Sequence, residues 1–280
     1  MNCPKCNRET RRYGLVRDKQ RYRCANCNYT FTKKEYICKY CGCVYSDGQE
    51  FGRHVLKCRV KENNKIELTK LQKQLILGSM LGDMYMYYPT KGSKLPLVEV
   101  THGIDQRAYT MWKYYNLNNL TRSEPKERKT FSKKDNKFYG RIRFCTMSLA
   151  PLIPMYELTH TNGKRYINEA WLDEMTDSVA IAVWYLDDGD ISLHRDRNSR
   201  TVKISLGKMT DIEILTLRNW LRDYWGVITR TNKLPHQNVF RINKKEDVEH
   251  FISIVSPIII NEIPIMKYKI RENNRLINDN

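Results

Sequence analysis

Two acids and two sets of thiols are the side chains of this chain best placed to do chemistry. Asp83 closes the apolar run Ile76-Leu77-Gly78-Ser79-Met80-Leu81-Gly82, and Asp188 closes Ile181-Ala182-Val183-Trp184-Tyr185-Leu186-Asp187 ahead of Gly189. The two acids stand 105 residues apart, and each opens about a hundred residues of mixed helix and strand, which marks an internal duplication. Two carboxylates at the ends of two packed helices are what metal-assisted phosphodiester cleavage requires. One apolar helix ending in an acid is ordinary core packing; two at a duplication spacing are more than that.

The thiols have ligand spacing. Cys3-x2-Cys6 and Cys24-x2-Cys27, with 17 residues between them, fit a four-cysteine zinc ribbon. The segment resembles the ribbons at the N-termini of some bacterial transposase-associated proteins. A redox Cys-x-x-Cys pair competes with this reading, but no thioredoxin-like pattern surrounds either pair. Cys38-x2-Cys41, twelve residues, then His54-x3-Cys58 is the frame of a ββα zinc finger with Cys in place of the last His. Tyr36, Tyr45 and Phe51 occupy that finger's apolar positions. Cys43 and Cys145 fall outside both frames and read as plain thiols. Zinc here would be structural, because modules of about 30 residues bury too little apolar surface to fold unaided. Four protein ligands per site also leave no open position for zinc catalysis.

Charge points to the partner. The chain of 280 residues carries 49 Lys and Arg against 31 Asp and Glu, a net +18, and its first 62 residues hold fifteen of the cations and six of the acids. Such an excess suits a polyanion, with nucleic acid ahead of an anionic membrane surface. Arg8, Arg11, Arg12, Arg17, Arg21 and Arg23 of the ribbon would meet phosphate, although many ribbons bind protein instead. No apolar run approaches the ~18 residues of a membrane span, and no apolar signal region opens the chain. A soluble intracellular protein is expected, and the lysine- and asparagine-rich composition hints at an AT-rich phage, bacterial or organellar setting.

The elements that must position the acids follow from periodicity. A helix is expected from Leu68 to the first acid. It is followed by a strand at Leu95–Thr101, a helix at Ala108–Leu117, a strand at Tyr139–Thr146 and a helix at Leu149–Leu158. The second half offers helix Val179–Asp188, strand Thr201–Leu206 and helix Ile212–Trp225. Strands Val227–Thr231 and Asn238–Asn243 and helix Val248–Val255 complete it. The expected fold is α+β, an αββαββα unit occurring twice with a pseudo-twofold axis, after small zinc modules. Domains are expected at 1–34 (ribbon), 35–62 (finger), 63–67 (linker), 68–170 and 171–280 (the two halves).

The two motifs, with Pro264-Ile265-Met266-Lys267-Tyr268-Lys269 near the end, resemble those of LAGLIDADG homing endonucleases of the single-chain, two-motif branch. The resemblance covers about residues 68–270 and leaves the zinc region outside. It implies a β-saddle on DNA, with Asp83 and Asp188 ligating Mg²⁺ or Mn²⁺ and backbone carbonyls near Gly82 and Asp187 assisting. It also implies a monomer that cuts both strands of a long asymmetric site and leaves short 3′ overhangs. One basic residue per half is implied beside the centre. Lys269 fits the second half; in the first, an ungapped match puts Arg165 where lysine is usual, and the adjacent Lys164 is the candidate. Gly78 and Gly82 share a helix face and would admit a close partner helix.

Strand alternation suggests how DNA is held. Arg141 and Arg143 oppose Ile142 and Phe144, and Arg241 and Asn243 oppose Phe240 and Ile242, so each sheet would show a polar face to the duplex. Lys203 joins that face, and the basic segment Lys126–Lys137, including Lys133 and Lys134, would flank the duplex at phosphates. The expected function is a site-specific double-strand DNA homing endonuclease of a mobile element, with two structural Zn²⁺ in its DNA-tethering arm. An intron RNA maturase, or a regulator that keeps the fold without cutting, are the alternatives on this scaffold.

Overall fold

The computed structural model describes residues 2–3, 5–16, 19–32, 36–39, 41–63, 65–133, 135–193, 200–234 and 237–270. Arg17 and Lys134 lie outside the described residues. Contacts divide the chain into two units, Met1–Lys65 and Ile66–Asn280.

In the first unit every Cys-x-x-Cys knuckle turns the same way. The residue after its second Cys is Asn7, Asn28 or Gly42, with φ of 57°, 56° and 74°. The N–H of that residue donates to the carbonyl of the first Cys at 2.9, 3.1 and 2.8 Å. Asn and Gly enter the left-handed region at least cost, so the local sequence sets the turn. Strands β1 (Thr10–Val16), β2 (Lys19–Cys24) and β3 (Thr30–Thr32) form an antiparallel sheet in that order around the first two knuckles. Then β4 (Tyr36–Ile37) and β5 (Val44–Tyr45) pair as a hairpin before α1 (Gly48–Asn63). Asp47 caps α1, its Oδ1 accepting from the backbone N–H groups of Gln49 and Glu50 at 2.8 and 2.7 Å. Phe51 packs between Tyr36 and Tyr45, ring centres 5.2 and 6.2 Å away, as the finger frame requires.

The second unit opens with α2 (Lys70–Leu81), β6 (Met84–Tyr87), β7 (Leu97–Gly103), α3 (Arg107–Leu117), β8 (Lys126–Ser132), β9 (Lys137–Cys145) and α4 (Ile153–Thr159). A hairpin of β10 (His160–Thr161) and β11 (Lys164–Arg165), then the short α5 (Glu169–Asp173), lead onward. The pattern then repeats as α6 (Ser178–Asp188), β12 (Gly189–Leu193), β13 (Arg200–Gly207), α7 (Asp211–Trp225), β14 (Arg230–Leu234), β15 (Gln237–Ile242) and α8 (Lys245–Asn261). Both four-stranded sheets have the same antiparallel order, β6-β7-β9-β8 and β12-β13-β15-β14. The αββαββα unit thus occurs twice, and one apolar core from Leu75 to Ile270 serves both halves.

Two strand limits differ from expectation for local reasons. Pro96 lacks an N–H, and β7 begins after it rather than at Leu95. Val227 is occupied in closing α7: Gly226 takes φ +65° while Val227 N–H returns to Leu221 O at 2.9 Å, so β14 starts only at Arg230. The basic segment after Lys126 is an edge strand, β8, paired along its length with β9. Charged residues on an edge are a usual guard against unwanted strand pairing. Among the described residues no helix is long and apolar enough to cross a membrane.

Helices α2 and α6 form the centre. From Leu75 to Leu81 and from Val179 to Leu186 every residue is buried, as befits helices with neighbours on all sides. Thr69 and Gln72 make a capping box on α2, and Asp177 caps α6 by accepting from Val179 N–H at 3.1 Å. Gln74 joins the pair, donating to Glu174 O at 2.6 Å and accepting from Asp177 N–H at 3.1 Å. A Cβ at Gly78 would fall 2.2 Å from the Ala180 carbonyl oxygen, and one at Gly82 would fall 2.5 Å from Asp187 Cβ. Only glycine fits at this crossing. Gly78→Ala should therefore cost about 3 kcal/mol. Gly103→Ala, with nothing within 4 Å of the added methyl, should stay within roughly 0.5 kcal/mol of wild type in urea denaturation.

Candidate functional site

The glycine crossing delivers both acids to one place. Helix α2 ends at Leu81, and Gly82 leads into Asp83; α6 runs to Asp188, and Gly189 starts β12. Asp83 and Asp188 line the same cleft of about 350 Å³, with Gly82, Tyr85, Arg165 and Lys208 around them. Both stand where unpaired helix carbonyls concentrate negative charge.

Each helix end is backed by one cation. Lys269 Nζ donates to Leu186 O at 2.6 Å and to Gly189 O at 2.9 Å. Arg165 donates from one guanidinium nitrogen to Met80 O at 2.7 Å and Gly82 O at 3.1 Å. The two perform the same task on equivalent turns. Lys164, the candidate from sequence, is exposed on β11, and its neighbour Arg165 takes the place instead. In a two-residue strand successive side chains point to opposite sides, so only one of the pair can face the motif.

The Asp187 side chain faces the protein interior. It is fully buried and turned into the first half, where it accepts from Lys113 Nζ at 2.8 and 2.9 Å, Tyr109 OH at 2.8 Å and Asp83 N–H at 3.3 Å. Its carboxylate is thus committed within the protein. Tyr109, Lys113 and the buried His102 are site residues that motif reading missed. Their signal was present: His102 continues the inward alternation Val98, Val100, and Lys113 falls at helical spacing between Tyr109 and Leu117.

The two acids have different electrostatic surroundings. Burial pushes Asp83 upward, but His102 and the ammonium groups of Lys113 and Lys269 outweigh it, and the carboxyl lies below its ordinary range. Burial, together with the charges of Asp83 and Asp187, pushes Asp188 up to about 7, against the pull of Arg165 and Lys269. Burial also lowers Lys269, and the surrounding acids oppose this.

The sheet faces carry the other candidates. Arg143 pairs in register with Thr101 and Lys126, and Arg141 with Gly103 and Arg128. Arg143 also donates to Glu99 at 2.7 Å, and Glu99 accepts from Tyr87 OH at the same distance. In the second sheet Arg241 pairs with Lys203 and Arg230, while Asn243 lies one residue beyond β15. In the first unit Arg21 and Arg23 both sit over the Tyr13 ring, 5.1 Å from its centre.

Two metal-ligand sets converge in that unit: Cys3, Cys6, Cys24 and Cys27, and Cys38, Cys41, His54 and Cys58. Within each, all ligand atoms lie within 4.8 Å of one another. Sulfur separations of 3.4 to 3.6 Å in the first set are too long for disulfides and suit a tetrahedron of ~2.3 Å bonds. In the second, His54 Nε2 stands 3.1 Å from Cys41 Sγ and 3.2 Å from Cys58 Sγ. Cys43 is an exposed free thiol and Cys145 a half-buried one.

Residues 73–251 match the LAGLIDADG DNA endonuclease family, and the chain belongs to it. The homing endonuclease I-WcaI bound to its DNA recognition sequence has a similar fold. It superposes with a TM-score of 0.68 over 78% of this chain and 93% of that one, at 20% identity. Protein RecA of Mycobacterium gastri is 28% identical over 178 residues, 59% of this chain and 39% of that protein. Intron-encoded endonuclease ai4 of Dictyostelium discoideum is 24% identical over 137 residues, 49% of this chain and 80% of that protein. The chain thus spans about half, or less, of the length of its RecA relatives.

A carboxyl raised in the folded state weakens the fold once it ionises. Between about pH 4 and pH 7 the unfolded chain loses the Asp188 proton while the folded chain keeps it, so stability falls with rising pH and the full penalty stands above 7. Asp188→Asn should therefore stabilise the metal-free protein at pH 8 by on the order of 3 kcal/mol, with the gain vanishing toward pH 4. Thermal melts across that range measure it.

Proposed function

We propose that this chain is a site-specific double-strand DNA endonuclease of the homing type, which hydrolyses phosphodiester bonds with divalent metal at Asp83 and Asp188. The observation that carries the reading is the convergence of these two acids from duplicated helices in one cleft, between two sheets with cationic polar faces. The donor set suits Mg²⁺ or Mn²⁺, since it is all oxygen. The raised Asp188 carboxyl supports this further, being an acid that repels its neighbours until a cation is added.

Asp83 and Asp188 would hold the metal, with carbonyls near Gly82 and Asp187 in support. When bound, divalent metal supplies an activated water and neutralises charge on the leaving oxygen. The chain's own residues do the rest. Asp83, kept ionised, and Asp188, emptied of its proton, present charge at the cleft. Lys269 and Arg165 hold the turns that carry them and add positive charge beside the incoming phosphate. Arg141, Arg143, Lys203, Arg241 and Asn243 suit base edges and phosphates from the strands, where Arg pairs with guanine and Asn with adenine.

The ribbon and finger would each hold one structural Zn²⁺ and lengthen the footprint, with Arg21 and Arg23 among the phosphate contacts. A mobile, intron-borne setting accords with the likeness to the intron-encoded endonuclease of Dictyostelium discoideum.

Cleavage of a randomised duplex library with Mg²⁺ tests the proposal. Wild type should select and cut a long asymmetric site, and Asp83→Asn or Asp188→Asn should reduce cutting at least 100-fold while still binding it. Duplex binding without cutting in any divalent metal points instead to a regulator, and selective binding of intron RNA to a maturase. For the zinc modules, metal analysis should give two Zn²⁺ per chain. Cys24→Ser or His54→Ala should each lose one and weaken DNA binding at least tenfold, leaving cutting of saturated DNA within threefold. Unchanged zinc content would refute the ligand assignment.

A further inference from the structure

Lys113 is completely shut off from solvent, as is the Asp187 side chain it meets. An ammonium placed there needs a close, well-formed partner set. Its partners come from both halves: Lys113 and Tyr109 belong to α3, whereas Asp187 reaches across from α6. Tyr109 serves the pair twice. Its ring lies 4.5 Å from the Lys113 ammonium, and its hydroxyl donates to Asp187 Oδ1 at 2.8 Å.

The chain of contacts continues to Asp83. The His102 ring is buried between the two carboxylates, Nδ1 3.4 Å from Asp83 Oδ2 and Nε2 3.9 Å from Asp187 Oδ1. Among the described residues neither ring nitrogen has a well-formed hydrogen bond, and the two acids are the groups it faces. Asp187 Oδ2 also accepts the Asp83 backbone N–H. Asp83 is therefore held at its backbone and flanked at its carboxylate by one connected set of buried groups.

Among the described residues the second half has no equivalent His and Lys. Met84 pairs with Val100 in one sheet and Gly189 with Ile204 in the other, so Asp83 corresponds to Asp188 and His102 to Leu206. Ten residues past the glycine that ends each strand stand Lys113 and Leu217. Asp187 itself corresponds to Gly82. Leu206 and Leu217 are buried core side chains. By the same count Tyr109 corresponds to the buried Glu213, which is engaged elsewhere, accepting from Ile167 N–H at 3.0 Å and from the Thr210 hydroxyl at 2.8 Å. The imidazole and ammonium behind Asp83 are thus replaced by hydrocarbon behind Asp188.

We propose that Lys113, acting through Asp187 and His102, is a positioning residue for Asp83 alone, so that the two acids of the site are supported unequally. The consequence for cleavage rests on the nuclease reading above; the consequence for metal binding does not. Removing the chain should impair the duty of one acid and spare the other. Groups that orient a metal ligand from behind commonly alter metal affinity tenfold or more.

The test uses the full chain and compares wild type with K113M/D187N, which removes both buried charges together, and with H102L, which installs the residue of the second half. Mn²⁺ binding is measured by calorimetry, and cleavage of a duplex site labelled on both strands is followed in single turnover. In both variants Mn²⁺ affinity should weaken at least tenfold. One strand should be cut at least tenfold more slowly and the other within threefold, so that nicked duplex accumulates, with melting temperatures within a few degrees of wild type. Unchanged Mn²⁺ affinity, or equal slowing of both strands, overturns the proposal, as does a wild type that binds no Mn²⁺. Should one variant fail to fold, the other decides. A wild type that binds Mn²⁺ and cuts no duplex defeats the nuclease reading, and the Mn²⁺ comparison then judges Lys113 by itself.

Discussion

The contact between α2 and α6 at Gly78 and Gly82 is the constraint on which the rest of the second unit depends. A methyl group at Gly78 would penetrate the backbone of the facing helix, so the approach is set by main chain against main chain. Because both helices run into this contact and both end in acids, close packing brings like charges together at the negative ends of two helix dipoles. The arrangement is electrostatically unfavourable on its own, as the raised Asp188 carboxyl records. Lys269 and Arg165 relieve part of it by binding the helix-end carbonyls, and a divalent cation between the acids would relieve more. Packing, charge and the capacity to hold metal are thus consequences of one helix crossing.

Duplication explains why the site has two of everything, and its imperfection explains the rest. The halves share element order, strand order and a cation on each motif turn. They differ where Gly82 faces Asp187: the absent side chain on one helix makes room for the carboxylate of the other. That carboxylate then needs a buried counter-charge, which Lys113 supplies from α3. A small-for-large exchange at the crossing has therefore spread into an asymmetric polar interior in the first half.

Much of this was legible in the sequence, for identifiable reasons. Long apolar runs ending in Asp83 and Asp188 have a strong helical signal, and their spacing gave the repeat. The fifth residue of each Cys-x-x-Cys knuckle, Asn or Gly, agrees with the turn the structure adopts. The short strands β6 and β12 leave little trace in the sequence, since four or five residues directly after a helix carry little periodicity. Edge strand β8, charged and exposed through most of its length, resembles a loop to any reading based on apolar pattern. The choice between Lys164 and Arg165 depends on which way a two-residue strand turns its side chains, and the hairpin around Gly163 sets that in three dimensions. His102 and Lys113 occupy apolar positions of their elements, and nothing near them in the sequence points to their common partner, Asp187, which lies 74 residues beyond Lys113 and further still beyond His102.

The central claim is that Asp83 and Asp188 act together on the same divalent metal. A double-mutant cycle on Mn²⁺ affinity over Asp83→Asn and Asp188→Asn, followed by electron paramagnetic resonance, tests it most directly. If the acids share their metal, either substitution removes most of the binding and the double variant is little worse than either single one. Additive losses, with each acid keeping its own binding when the other is gone, would contradict the account.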